Sequence, residues 1–239
     1  MVFGAILAGG VGSRLGAEMP KQFLMLGSKP VIVYSLEKFL ACSRMDHVFI
    51  GVHPDYLDHT KALVEQYVPE KKDRVHILCG GGSRNETLQN IIAAIDLLRQ
   101  DSNEDIIVTH DAARPFVTMR MIEENIDAAA EVGAVNTVCP ATDTIVISQD
   151  GSTVSDIPNK AVMYYGHSPQ SFRINMLKNL YSTLTQEEKD ILTDACKICC
   201  LRGQPVALVR SEYTNLKITT PGDYLIAQGF IAEGVDRKE

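Results

Sequence analysis

LAGGVGSRLGAEMPKQF, residues 7–23, closes the apolar run Val2–Ala8 with a glycine-rich turn and sets two cations, Arg14 and Lys21, close behind it. A short apolar run bounded by glycines is a buried strand. Glycine-rich turns after such strands usually hold phosphate, and three phosphate loops compete for this one. A P-loop needs lysine directly after its last glycine and a metal-binding hydroxyl after that, but Lys21 here stands between Pro20 and Gln22. A dinucleotide fingerprint needs a third glycine where Leu15 stands, and an acid after the second strand far nearer than Asp55. What remains is a loop whose glycines, Gly9, Gly10 and Gly12, free backbone amides for a polyphosphate that Arg14 and Lys21 neutralise.

Beyond the loop, short apolar runs alternate with helical periodicity. The spacing predicts strands at 2–8, 47–53, 74–79, 105–110, 134–140 and 205–209, with helices at 31–41, 55–68, 85–99 and 118–131. Pro30 suits the first turn of its helix and Gly133 a C-terminal cap. This is the βαβ rhythm of one α/β domain spanning 1–239, a mostly parallel twisted sheet with helices on both faces. One segment breaks it. DTIVISQDGSTVSDIPNK (143–160) alternates, turns at Asp150-Gly151 and alternates again, predicting a protruding β-hairpin. It is either an edge hairpin or an arm that pairs with a second subunit.

Composition narrows the function classes. Lysine and arginine total 23 against 30 acids, a net charge of −7, with no basic run, so no nucleic-acid partner is expected. No stretch is long enough to span a bilayer and MVFGAILAGG lacks a basic leader region, so no membrane contact and a cytoplasmic location are expected. Six cysteines sit mostly in apolar runs, and Cys196-x-x-Cys199 lies in the helical pattern EEKDILTDACKICCLRG (187–203), where core packing is the better reading than metal binding.

LAGGVGSRLGAEMPKQF resembles the signature loop of the CTP-dependent sugar-phosphate and polyol-phosphate cytidylyltransferases, nucleotidyltransferases with a glycosyltransferase-A-like sheet. Further matches follow in order: GGGSRNETLQN (80–90), VTHDAARPF (108–116), ATDTIV (141–146), YGHSPQSF (165–172), LTDACKI (192–198) and NLKITTPGDY (215–224). The resemblance covers nearly the whole chain and implies transfer of CMP from CTP to a polyol phosphate, releasing pyrophosphate. Two branches share the frame, one acting on ribitol 5-phosphate, the other on methylerythritol 4-phosphate in isoprenoid synthesis. DIPNKAVMYYGHSPQSF, LTDACKIC and NLKITTPGD favour the ribitol branch, which would feed teichoic acid or capsule synthesis.

By this resemblance, Leu7, Ala8, Gly9, Gly10 and Gly12 cradle the triphosphate, and Arg14, Lys21 and Lys217 are catalytic. Gly80, Gly81, Arg84 and Thr87 would face the nucleotide, although Ser83 and Glu86 also have the spacing of a capping box there. Asp111 falls at the carboxyl end of a strand, where ligands of open α/β sheets sit, and is the candidate ligand for Mg²⁺, a cation that prefers carboxylate and phosphate oxygens. Ala112, Arg114, Thr144, Lys160 and Ser168 would meet the polyol phosphate, the alternative for Arg114 being an ion pair with Asp111 that ties a turn. His110 reads as packing or as support from behind the ligands, not as a ligand itself, and Asp194 either lines the pocket or sets a helix turn. Lys160 departs from the arginine usual in both branches and loses its bidentate fork. At the end of the arm it would reach a partner subunit's site, which implies a homodimer. The alternative of another class is a nucleotide-binding module without catalysis, against which the set Arg14, Lys21, Asp111 and Lys217 argues.

Overall fold

A computed structural model describes residues 1–10, 19–98 and 103–237. Among these the chain runs β1 (Val2–Ala8), β2 (Met25–Leu26), β3 (Lys29–Pro30), α1 (Val31–Ala41), β4 (His47–Val52), α2 (Leu57–Tyr67), β5 (Val75–Cys79), α3 (Arg84–Leu98), β6 (Ile106–Asp111) and α4 (Met119–Val132). It continues through β7 (Ala134–Pro140), β8 (Tyr164–Arg173), α5 (Ile174–Ser182), α6 (Gln186–Asp190), α7 (Cys196–Leu201), β9 (Ala207–Arg210) and α8 (Pro221–Ala232). The main sheet has seven strands among the described residues, in the order β5-β4-β1-β6-β8-β7-β9. Every pairing within it is parallel except the two that β8 makes.

The expected alternation sets this architecture. Along β1, Phe3, Ala5 and Leu7 face one side of the sheet and Ile6 and Ala8 the other, the period of two that a strand imposes. One side packs with Val33, Phe39, Leu63 and Ile122 from α1, α2 and α4. The other packs with Ile91, Leu177 and Ile198 from α3, α5 and α7. Since both faces are covered, β1, β4 and β6 are apolar without alternating. Cys196 and Cys199 lie buried in the second cluster, as the packing reading expects. Burial pushes the Cys199 thiol up to about 12 and Cys196 higher still.

Four expectations need correction. First, the sheet contains an antiparallel strand, β8, that the apolar pattern does not announce. YYGHSPQSFR carries a glycine and a proline, and proline argues against a central strand because it gives no amide to the ladder. The structure accommodates it where the β7–β8 register shifts between Asn136 and Val138, a bulge that leaves Pro169 without a β7 partner. Second, the hairpin is not a ladder: its legs meet at one bridge, Ile147 with Asp156. Exposed on both sides, two strands alone have too little apolar burial to hold more. Third, Pro30 caps α1 from outside instead of lying in its first turn. Fourth, the continuous helical pattern of 187–203 is split into α6 and α7, with Asp194 between them.

Gly133 ends α4 as expected, at φ +95°, a left-handed conformation that favours glycine. A Cβ there would also meet the Met176 Sδ at 3.0 Å. Gly133→Ala is therefore expected to lower unfolding free energy by about 1–2 kcal/mol, measured by urea denaturation; an unchanged midpoint would show that the cap is not under strain.

Candidate active site

In register, Leu7 of β1 lies beside Asp111 of β6, and Ala8 beside Val52 of β4, so the carboxyl ends of the parallel strands come to one edge. A cavity of about 300 Å³ opens there, lined by Leu7–Gly10, Lys21, Gln22, Gly81–Arg84, Thr87, Asp111–Ala113, Lys217 and Thr219. Eight residues expected for the nucleotide and its phosphates are thus brought together: Leu7, Ala8, Gly9, Gly10, Lys21, Gly81, Arg84 and Thr87. Gly12 and Arg14 lie outside the described residues.

Three cations converge on Asp111. Lys217 Nζ is 3.0 Å and Arg114 Nε 3.5 Å from Oδ2, and Arg84 Nε is 3.2 Å from Oδ1. Burial pushes the carboxyl up, but Arg84, Lys217 and Arg114 outweigh it and hold Asp111 far below the usual carboxylate range. The three arrive by different routes. Arg84 opens α3. Arg114 is buried, its Nη1 donating to the Asn215 carbonyl at 2.6 Å, so the expected alternative of an Asp111–Arg114 pair is present. Lys217 sits on a segment with no regular structure, pinned on either side: Asn215 Nδ2 donates to the Ser168 carbonyl at 2.8 Å, and the Ile218 amide to the Ala113 carbonyl at 2.9 Å.

Behind Asp111 lies a closed chain of hydrogen bonds. The Asp111 amide donates to Ser168 Oγ at 3.1 Å, Ser168 Oγ is 3.0 Å from His110 Nδ1, and His110 Nε2 is 3.0 Å from the Arg114 carbonyl. The carbonyl can only accept, so His110 carries its proton on Nε2 and takes the Ser168 proton on Nδ1. Ser168 is buried in this chain and is absent from the cavity lining. His110 is buried and supports Asp111 from behind, facing no cavity.

The end of β1 through Gly10 and the Gly80–Gly82 turn are tied to the rest of the protein. Gln22 Nε2 donates to the Ala8 and Gly10 carbonyls at 2.8 and 2.9 Å, tying the Lys21 turn to the end of β1. Sequence assigns Gln22 no role; an amide directly after the cavity lysine is the one signal available there. Gly80, Gly81 and Gly82 each give their amide to the protein, to the Val52 carbonyl, Thr87 Oγ1 and Glu86 Oε2 respectively. The capping box is therefore shifted: Ser83 Oγ accepts from the Glu86 amide, but Glu86 reaches Gly82. A Cβ on Gly81 would fall 2.3 Å from Glu86 Cβ, whereas one on Gly10 meets nothing within 4 Å.

A second cavity of about 390 Å³ adjoins the first and shares Lys217 with it, lined also by Arg114, Cys139, Thr142, Tyr165, Gly166, His167 and Tyr213. Of the residues expected for the polyol phosphate, Ala112 lines the first cavity and Arg114 the second. Thr144 and Lys160 are exposed on the arm, Lys160 Nζ donating to the Thr142 carbonyl at 2.8 Å. No helix among the described residues is long and apolar enough to cross a membrane.

Paired cavities at a strand-end edge, one carrying a glycine loop and both meeting at a cation cluster, define an α/β protein built for phosphate-rich ligands. The profile of the 2-C-methyl-D-erythritol 4-phosphate cytidylyltransferase (IspD) family matches residues 2–233, and the chain belongs to that family of cytidylyltransferases. It is 48 % identical over 232 residues to the ribitol-5-phosphate cytidylyltransferases of Streptococcus pneumoniae serotypes 2 and 4, covering 97 % of this chain and 99 % of each relative. Its fold matches the 4-diphosphocytidyl-2C-methyl-D-erythritol synthase of Anaerococcus prevotii at TM-score 0.80 and 23 % identity, over 97 % of this chain and 96 % of that one. The 2-C-methyl-D-erythritol 4-phosphate cytidylyltransferase of Thermus thermophilus matches at TM-score 0.71 and 23 % identity, over 95 % and 98 % of the two chains.

The buried imidazoles make stability pH-dependent. Burial lowers His110 to about 4, and burial followed by the charge of Arg114 lowers His167 to about 4, from the ordinary 6.5. Between those values the unfolded chain binds more protons than the folded one, so stability is full above pH 6.5 and falls as pH drops toward 4. For His110 the loss amounts to about 3 kcal/mol across the window. Urea denaturation at pH 7, 6 and 5 is expected to show this decline, with a shallower slope in His110→Asn; an equal slope would place the titration elsewhere.

Proposed function

We propose that this protein transfers CMP from CTP to ribitol 5-phosphate, giving CDP-ribitol and pyrophosphate. The observation that carries the reaction is the Asp111 cluster, with Lys217 at the seam of two cavities, one for each substrate. The near-full-length similarity to ribitol-5-phosphate cytidylyltransferases carries the choice of acceptor. The family profile and the solved structures, named for the methylerythritol branch, keep methylerythritol 4-phosphate as the second reading.

In this mechanism an acceptor phosphate oxygen attacks the α-phosphorus of CTP in line. The new bond joins that oxygen to phosphorus, and the bond to the β-phosphate oxygen breaks with its electron pair leaving on pyrophosphate. A phosphomonoester is largely dianionic near pH 7, so no general base is required. Catalysis rests on positioning and charge neutralisation. The glycine loop of Leu7–Gly12 holds the triphosphate, Arg14 and Lys21 neutralise its charge, and Lys217 meets the transferred phosphorus from the opposite wall. Ala112 and Arg114 border the acceptor. With the amides of Gly80, Gly81 and Gly82 engaged inside the protein, that loop has only carbonyl oxygens left to offer a base. Such acceptors suit the exocyclic amine of cytosine and repel the O4 of uracil.

Both Asp111 oxygens are met by cations, so a divalent cation would join the carboxylate only together with the triphosphate, whose charge offsets Arg84, Arg114 and Lys217. Among the described residues no cluster of three or more His, Cys, Asp or Glu is gathered, and Mg²⁺ takes such a form, one carboxylate with substrate phosphates and water. Bound there with the triphosphate, it would neutralise part of the phosphate charge.

The arm suits a second subunit. Val146, Val154, Ile157 and Val162 are more than half exposed on a segment held by one bridge, and apolar surface of this kind marks an interface. In a homodimer Thr144 and Lys160, which line neither cavity of their own chain, would serve the acceptor site of the partner.

Pyrophosphate release from CTP and Mg²⁺ is expected with ribitol 5-phosphate and to be much slower with methylerythritol 4-phosphate. Chelation of the metal should abolish it, UTP should support less than about a tenth of the rate, and Lys217→Ala should cut kcat by about 10²-fold or more. Preference for methylerythritol 4-phosphate would overturn the acceptor, and full turnover in chelator would overturn the metal.

A further inference from the structure

Arg84 touches Asp111 through Nε and reaches with Nη2, at 3.2 Å, the side-chain oxygen of Gln170. Its third nitrogen, Nη1, is buried and makes no hydrogen bond. The direction of the guanidinium therefore rests on two partners, and one of them is an amide that presents an acceptor in one orientation and a donor in the other.

Gln170 is buried, on β8, and its orientation is set from behind. Its Nε2 donates to Asn136 Oδ1 at 3.1 Å and to Asp194 Oδ2. Asp194 is fixed in turn, because Oδ1 accepts from the Cys196 amide at 2.7 Å, where α7 begins. A carboxylate can only accept, so Gln170 must turn its NH₂ toward Asp194 and its carbonyl toward Arg84.

We infer that Asp194 and Gln170 are positioning residues that set the donor–acceptor sense of a relay, Asp194–Gln170–Arg84–Asp111, and so aim Arg84 into the nucleotide cavity. The inference rests on the proposed reading of Arg84 as a nucleotide contact. Asp194 lines neither cavity; it acts through Gln170.

The relay has a polarity that substitutions can reverse. In Asp194→Asn, the Cys196 amide still requires an oxygen, so the new NH₂ faces Gln170. Gln170 then turns its own NH₂ toward Arg84, donor against donor. In Gln170→Glu, a carboxylate faces Asp194. Combined, the two restore a consistent sense, since the carboxylate introduced at position 170 accepts from both Arg84 and the amide introduced at position 194.

The test measures CTP affinity by titration calorimetry, KM for each substrate, melting temperature and the NMR signal of the Arg84 Nε–H in wild type, both single variants and the double variant. Each single variant is expected to weaken CTP by about tenfold and to shift the Arg84 signal, with KM for the acceptor little changed and a lowered melting temperature that the double variant recovers. The double variant should return CTP affinity to within about threefold of wild type. Single variants that bind CTP normally with an unmoved Arg84 signal, or a double variant no better than its parents, would overturn the relay. If one single variant fails to fold, the other and the double variant still decide. A wild type that turns over no polyol phosphate would defeat the functional reading instead, and the Arg84 signal would still judge the relay.

Discussion

The carboxylate of Asp111, met within 3.5 Å by Arg84, Arg114 and Lys217, is the interaction on which the site depends. One negative charge cannot balance three positive ones, and the three come from α3, the loop after β6 and the segment before α8. Without Asp111 their mutual repulsion at the end of a buried sheet would be severe. With it, a net positive charge remains at the seam of two cavities. That surplus is what an anionic ligand relieves, so the same arrangement that holds the strand ends together also prepares them for phosphate.

Preparation extends to the backbone. Gln22 fixes the entry to the glycine loop, and the three amides of Gly80–Gly82 are already committed within the protein. A backbone already fixed in place does not have to reorganise when charge develops beside it, which is what electrostatic catalysis requires. His110 belongs to the same design: neutral and buried, it joins the Arg114 carbonyl to the Ser168 hydroxyl that supports the Asp111 amide. The residues around the reacting centre thus serve two layers, those that face the cavity and those that prevent it from relaxing.

What was legible in the sequence follows from this division. β1, β7 and α1 have the boundaries expected from periodicity, since burial on both faces of a parallel sheet leaves continuous apolar runs. Asp111 and the glycine turns were legible because strand ends and glycines announce themselves locally. β8 was not, because its serines, glycine and proline are accommodated by a bulge and by cross-strand bonds such as Thr109 Oγ1 to the Gln170 carbonyl, which no one-dimensional pattern records. Gln22, Gln170 and the buried role of Ser168 were hidden for the same reason: each matters through partners between 12 and 86 positions away. Lys217 stood out only through resemblance, as its segment has neither strand nor helix to mark it.

The chain carries a net charge of −7, yet gathers its site from cations. At physiological ionic strength charges are screened over about 8 Å, so an anionic ligand approaching from solution meets no attractive field from the protein as a whole. Attraction begins only at the mouth of the cavity, where Lys21, Arg84 and Lys217 share the lining. Affinity must then come from contact and not from steering. Contact discriminates by shape and by the placement of donors, and long-range fields do not. A basic cleft in an acidic chain therefore favours ligands that engage the whole cluster over free phosphates, which gain from only part of it.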